Sequence, residues 1–91
     1  MKDEIFTKVK ASIEDIFQRN FRHFDKAITG ELTLREDIGL DSIDLTILQI
    51  EMEDWWNIRF DPIKDNFQKI FYSVNSLCEF LELRIGERNG K

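Results

Sequence analysis

Chemistry in this chain has few places to start. The nucleophile-bearing candidates are Ser42, set between Asp41 and Asp44 after the turn-forming Gly39, and a single cysteine, Cys78. Two carboxylate pairs invite an acid–base reading: Asp41 with Asp44, and Glu53 with Asp54. Neither is accompanied by residues that would form an oxyanion hole, and a small helical chain offers little cleft, so an enzyme is not expected. The same acids lack the ligand spacing of a Ca²⁺ loop. His23 has no second histidine and no patterned cysteine beside it, so it reads as a surface or loop residue and no metal site is expected. Cys78 falls on an apolar helix face and reads as a small buried hydrophobe. That leaves Ser42, whose position at the start of an apolar-periodic segment suits a helix cap.

Positioning these groups falls to helices. Ile5, Val9, Ile13, Ile16 and Phe17 recur at spacings of three and four, which predicts a first helix from about Asp3 to Arg19. Asp3 and Glu4 suit the positive end of its dipole. A long connection, Asn20 to Asp41, follows, with a turn expected at Thr29-Gly30. Its Phe21, Phe24, Ile28, Leu32, Leu34 and Ile38 are too apolar for a loose linker, so it should lie pinned on the helices. Structureless loops of this length are uncommon and often functional.

The second helix should begin at Ser42 as its cap and reach Trp56 or Asn57. Leu45, Leu48, Met52, Trp55 and Trp56 share one face, with the two tryptophans expected as core anchors. Ile43, Ile47 and Ile50 lie on another face beside Asp44, Thr46, Glu51 and Asp54, so the helix is apolar beyond what a small core needs. Asp61-Pro62 predicts a third, short helix running to about Gln68, with Ile63, Phe67 and Ile70 inward. The last helix should start near Ser73 or Asn75, or from a Ser76/Glu79 capping box, and carry Val74, Leu77, Cys78, Leu81 and Ile85. Gly86 is its expected stop. The domain organisation expected is one domain over residues 1–86 and a frayed tail over 87–91.

Charge is unevenly spread along the 91 residues, whose formal net charge is −5. Residues 1–35 carry seven Lys/Arg against six Asp/Glu, residues 36–65 two against nine, and residues 66–91 four against three. An acidic middle third disfavours nucleic acid, which needs a basic face, and favours a basic protein surface. Trp55 and Trp56 lack the interleaved cations of a base-stacking platform. One cysteine, no membrane-length apolar run and no signal-like N-terminus give the expectation of a cytoplasmic protein off the membrane.

The train Asp37-Ile38-Gly39-Leu40-Asp41-Ser42-Ile43-Asp44, continued by Glu51-Met52-Glu53-Asp54-Trp55-Trp56, Ile58-Arg59-Phe60 and later Ser73-Val74, Leu77 and Phe80-Leu81, resembles the acyl carrier protein family. Family members tend to read Asp-Leu-Gly-x-Asp-Ser-Leu-Asp, then a mixed acidic and apolar helix, a short helix and a final helix introduced by Thr/Ser-Val. The resemblance covers roughly residues 34–81. It implies an all-α, acyl-carrier-like four-helix bundle of three main helices and one short helix, with a long loop after the first. It implies 4′-phosphopantetheine attached at Ser42, with Asp41 and Gly39 shaping that site. A helix N-terminus favours a bound phosphate, and a serine there is exposed to a transferase.

Implied partners are a phosphopantetheinyl transferase and acyl-processing enzymes with basic docking surfaces, met by Asp41, Ile43, Asp44, Thr46, Ile47, Ile50, Glu51, Glu53 and Asp54. The carrier itself is expected to be a monomer, holding acyl intermediates as thioesters for fatty-acid, polyketide or related lipid biosynthesis. Three departures stand out. Ile43 replaces the usual leucine, Ile47 stands where glutamate is common, and Trp55 where an acid is common. About three extra residues also lie between Phe60 and Ser73. Two alternatives stay open: an aminoacyl or peptidyl carrier, although Gly39-Leu40-Asp41-Ser42 lacks the Gly-Gly-x-Ser approach, and a non-catalytic helical interaction module without an arm.

Overall fold

Apolar residues at helical spacing need partners, and the chain supplies them in a four-helix, all-α arrangement. A computed structural model describes residues 2–89, with side chains from 3 to 87. The elements are α1 (Lys2–Arg19), α2 (Ser42–Trp56), α3 (Phe67–Ile70) and α4 (Val74–Asn89), with no strand among the described residues. Helix α1 packs against both α2 and α4, and α3 packs on α4. The α1 stripe Ile5, Val9, Ile13, Ile16 and Phe17 is buried, as are Val74, Leu77, Cys78, Leu81 and Ile85 of α4. Burying each such side chain contributes roughly 1.5–3 kcal/mol.

The long loop adds to the same core. Ile28, Leu34, Ile38 and Leu40 are buried, and Phe24 and Leu32 pack against them. An isolated antiparallel bridge, Thr33 to Ser73, straps the loop to the start of α4. The strap is made by Leu34 N–H to the Tyr72 carbonyl (3.0 Å), Val74 N–H to Leu32 (3.0 Å) and Asn75 N–H to Gly30 (2.8 Å). Backbone groups that a loop would otherwise leave unpaired are thus satisfied.

Several local expectations need correction. Phe21 does not pin the loop; it is 98% exposed. It occupies the left-handed position that ends α1, at φ 56°. Arg22 N–H bonds the Phe17 carbonyl at 2.8 Å and Phe21 N–H bonds Gln18 at 3.1 Å, the double bond pattern that glycine usually completes. A bulky residue in that conformation costs about 1–2 kcal/mol. Asn57, which ends α2 at φ 55°, is a residue suited to the same turn.

Trp55 is not a core anchor. It is 62% exposed with Lys8 Nζ 4.1 Å from its ring centroid, whereas Trp56 is half-buried against the core. The α2 core face is filled by Leu48 and Met52, which leaves no place for a second indole.

The segment after Pro62 is not helical. Asp61 caps a single turn, accepting from the amides of Ile63 and Lys64, and Ile63 is 92% exposed. Arg84 of α4 clamps that turn through Asp65 at 2.8 Å and the Arg59 carbonyl. The short helix begins later, capped by Asn66, with Phe67 half-buried and Ile70 buried as expected. Its Phe67 and Phe71 rings gather round Phe60, with Phe80 of α4 stacked on the same ring at 5.0 Å.

Helix α4 is boxed by Ser73 and Ser76, not Ser76 and Glu79: Ser73 N–H donates to Ser76 Oγ (2.9 Å) and Ser76 N–H to Ser73 Oγ (3.1 Å). It also runs through Gly86 to Asn89. Gly86 does not stop it, because a glycine with ordinary helical dihedrals costs helix stability without ending the helix. Gly90 and Lys91, the end of the expected tail, lie outside the described residues.

Candidate functional site

The turn that delivers Ser42 is built from two interlocked loops. Thr33 N–H donates to Asp37 Oδ2 and Asp37 N–H to Thr33 Oγ1, both at 2.9 Å, and Ile38 N–H closes on the Thr33 carbonyl at 3.0 Å. Leu40 N–H then returns to the Leu34 carbonyl at 2.9 Å. Gly39, between the buried Ile38 and Leu40, takes φ +88°, where nothing lies within 4 Å of an added Cβ. Dihedral freedom, not space, is what this position requires.

The cap of α2 is Asp41, one residue earlier than expected, and Ser42 is the first helical residue. Asp41 Oδ1 accepts from Asp44 N–H at 2.8 Å, and Asp44 Oδ2 accepts from Asp41 N–H at 3.2 Å, a reciprocal capping box. A carboxylate serves here as well as a hydroxyl, and it frees the serine. The exposed Ser42 Oγ makes no hydrogen bond among the described residues, while its carbonyl takes a 2.9 Å bond from Thr46 Oγ1.

Donation from the Asp44 amide, aided by the Ile43 amide and Arg22, holds the Asp41 carboxyl below its ordinary value against the opposing effect of desolvation. The anion at the helix N-terminus therefore comes from the chain itself. One of the first-turn amides that a phosphate would use, that of Asp44, is spent on Asp41.

Asp44 does not face solvent. It is 3% exposed, and its carboxylate receives Arg22 Nη2 at 2.6 Å and Asn20 Nδ2 at 3.4 Å besides the Asp41 amide. Its expected contact with a partner is therefore corrected to a structural one. Arg22 also reaches the Gly39 carbonyl at 3.4 Å and lies 4.7 Å over the Phe17 ring. One guanidinium ties the end of α1, the glycine turn and the first turn of α2. Periodicity and motif spacing give no signal for Arg22, Asn20 or Arg19, because these contacts join segments that only folding brings together.

The remaining partner-facing candidates divide by exposure. Ile43 is 70% and Ile50 49% exposed, Thr46 and Asp54 are exposed, and Ile47 is half-buried against the core. Glu51 is half-buried and paired with Arg19, which also holds Asp15. Glu53 accepts from the Phe60 amide at 2.9 Å. Much of the acidity of α2 is thus answered from within the chain.

Beside Ser42 opens a groove of about 530 Å³. Leu45, Thr46 and Gln49 of α2 form one wall, Thr33, Arg35 and Glu36 of the loop another, and Phe67, Gln68, Phe71 and Tyr72 the third. Its lining is more apolar than polar, which suits a flexible, partly apolar chain. Among the described residues no cluster of His, Cys, Asp or Glu could hold a metal ion, and no helix is long and apolar enough to cross a membrane.

No family model matches the chain. Its sequence is 28% identical over 85 residues to an acyl carrier protein of Thermotoga maritima, spanning 93% of this chain and 96% of that protein. A match of that length takes in the stretch around Ser42, and it supports a place for this chain in the acyl carrier family.

Proposed function

We propose that the chain is an acyl carrier whose Ser42 accepts 4′-phosphopantetheine from coenzyme A through a phosphopantetheinyl transferase. The observation that carries this reading is the presentation of Ser42: exposed, its hydroxyl unbonded among the described residues, one residue past a cap fixed by Asp41, Asp44 and Arg22, in the lining of a largely apolar groove. The group fits these residues. Ser42 Oγ is the attachment atom, Gly39 and Asp41 shape the turn, and the groove can shelter what the arm bears. When bound, the arm supplies a terminal thiol that holds acyl groups as thioesters.

The chain's own residues do the positioning. Asp41 caps α2 one residue before the serine, so the hydroxyl need not serve as the cap. Arg22 neutralises Asp44, so Asp41 is the one ionised carboxylate of the box left exposed beside Ser42. No side chain among the described residues stands within hydrogen-bonding reach of Ser42 Oγ to take its proton, so the base comes from the transferase. The chain works as a carrier, not a catalyst, with the chemistry left to the arm and to its partner enzymes.

Those partners are acyl-transferring or acyl-processing enzymes of fatty-acid, polyketide or related lipid biosynthesis, met by a cytoplasmic monomer. Tethering raises the effective concentration of the acyl group at each of them. Intact mass before and after incubation with coenzyme A, Mg²⁺ and a broad-specificity phosphopantetheinyl transferase tests the reading. The wild type should gain one phosphopantetheine and Ser42→Ala none, with the fold unchanged. A folded wild type that gains nothing overturns it.

A further inference from the structure

A phosphodiester on Ser42 enters a field that is already negative. Asp41, its neighbour, is exposed and held ionised by the amides it accepts from. Asp37 is exposed as well, with its carboxylate on the Thr33 amide at 2.9 Å. The Asp44 amide, a donor that an anion at this helix start could use, is spent on Asp41. Two arginines at the end of α1 are spent too, Arg22 on Asp44 and Arg19 on Asp15 and Glu51.

One cation beside the serine is uncommitted. Arg35 lines the same groove as Ser42, and its exposed guanidinium makes no hydrogen bond, ion pair or ring contact among the described residues. The loop's own bonding puts it there. The carbonyl of the preceding residue, Leu34, accepts from Leu40 N–H at 2.9 Å. Leu40 stands two residues before Ser42, at most about 7 Å of chain. The other charged residue in the groove lining is Glu36, next to Arg35 in sequence, yet no ion pair joins the two among the described residues. Glu36 therefore deepens the negative field without occupying the guanidinium. Lys69 of α3 does not line the groove.

A phosphodiester spreads its charge over non-bridging oxygens that match the planar guanidinium fork. We propose that Arg35 is a positioning residue for the loaded arm: its guanidinium receives the phosphodiester on Ser42 and holds the root of the arm against the groove. The inference rests on the carrier reading of Ser42.

The test uses the full chain with and without the arm, as wild type, Arg35→Gln and Arg35→Lys. The arm ends in its thiol, so no acyl group is present. The readouts are the Arg35 Nε–H signal by ¹⁵N NMR, the ³¹P signal of the arm, and thermal melts. At low salt, loading should shift the wild-type Arg35 signal and slow its exchange with water about two- to fivefold, the factor an exposed ion pair is worth. The ³¹P signal of Arg35→Gln should stand apart from that of the wild type, with Arg35→Lys between them. Salt at about 1 M should bring the wild type to the Arg35→Gln position. Before loading, all three should melt alike; an Arg35→Gln chain that already melts lower assigns the residue to the fold instead. An Arg35 signal unmoved by loading, or a ³¹P signal indifferent to Arg35→Gln, overturns the pairing and leaves the Ser42 assignment standing. A response that appears only when the thiol bears a succinyl group assigns Arg35 to a carboxylate on the acyl chain and overturns it too. Failure of the folded wild type to load overturns the carrier reading and this inference with it.

Discussion

Replacing Arg22 by alanine should loosen the start of α2 without touching the helix itself. The guanidinium is 2.6 Å from Asp44 Oδ2, and the two side chains are 37% and 5% exposed. A hydrogen bond to a charged group contributes roughly 1.5–3 kcal/mol. Partial exposure of Arg22 and the donors left to Asp44, the Asp41 amide and Asn20 Nδ2, hold the loss near the lower end. Losing the stack on Phe17 adds about 0.5 kcal/mol. The sum is about 2 kcal/mol, which for a domain of this size lowers Tm by roughly 8–16 °C. Urea unfolding followed by far-UV circular dichroism measures it. Hydrogen exchange at residues 41–45 should quicken more than at the α4 core. A double-mutant cycle with Asp44→Ala should show coupling of about 1 kcal/mol or more. If Arg22→Ala lies within about 0.5 kcal/mol of the wild type, or the two substitutions simply add, the guanidinium does not hold the site and the reasoning fails.

Two further outcomes follow from the same turn. Gly39→Ala should destabilise by about 1–2 kcal/mol through backbone strain alone, since the added methyl meets nothing, and a urea midpoint equal to the wild type's would refute that. The acid limb tests Asp41. Because folding lowers its pKa from 3.8, the stability it brings is fully present above that value and is lost as pH falls through the lower folded one. Asp41→Asn keeps a capping oxygen without the titration, so its stability should fall less steeply from about pH 4 downward. The slope should not vanish, because Asp61 is lowered in the same sense by the Ile63 and Lys64 amides. An unchanged acid limb would show that the capping carboxylate does not titrate with folding.

Much of the fold was legible in the residues because it rests on local pattern. Spacings of three and four in α1 and α4 marked every one of their buried apolar positions, and excess apolarity in α2 marked Ile43 and Ile50 as exposed. The Asp-Ser train placed the candidate site, and Gly39 revealed its turn, since a glycine's dihedral freedom is a property of the residue itself. What could not be read was which of several competent groups would take each role. Asp41 and Ser42 are both good caps, and the choice fell to Asp41 because Asp44 could close the box while Arg22 neutralised it from the loop after α1.

The same limit explains the misplaced residues. Trp55 and Ile63 are apolar and fit a helical pattern, but the core was already filled by Leu48, Met52 and the loop's Ile38 and Leu40, so they remained in solvent. Helix starts at Asn66 and Ser73 were decided by Arg84 reaching back to Asp65 and by the loop bridging at Thr33. The sequence by itself thus determined the helical class, the two main apolar stripes and the presented serine, through interactions spanning a few residues. Only the tertiary structure decided which acids of α2 are left without an ion pair among the described residues. Charge pairing depends on distance, and the cations that answer Asp44 and Glu51 lie more than twenty residues away in the chain.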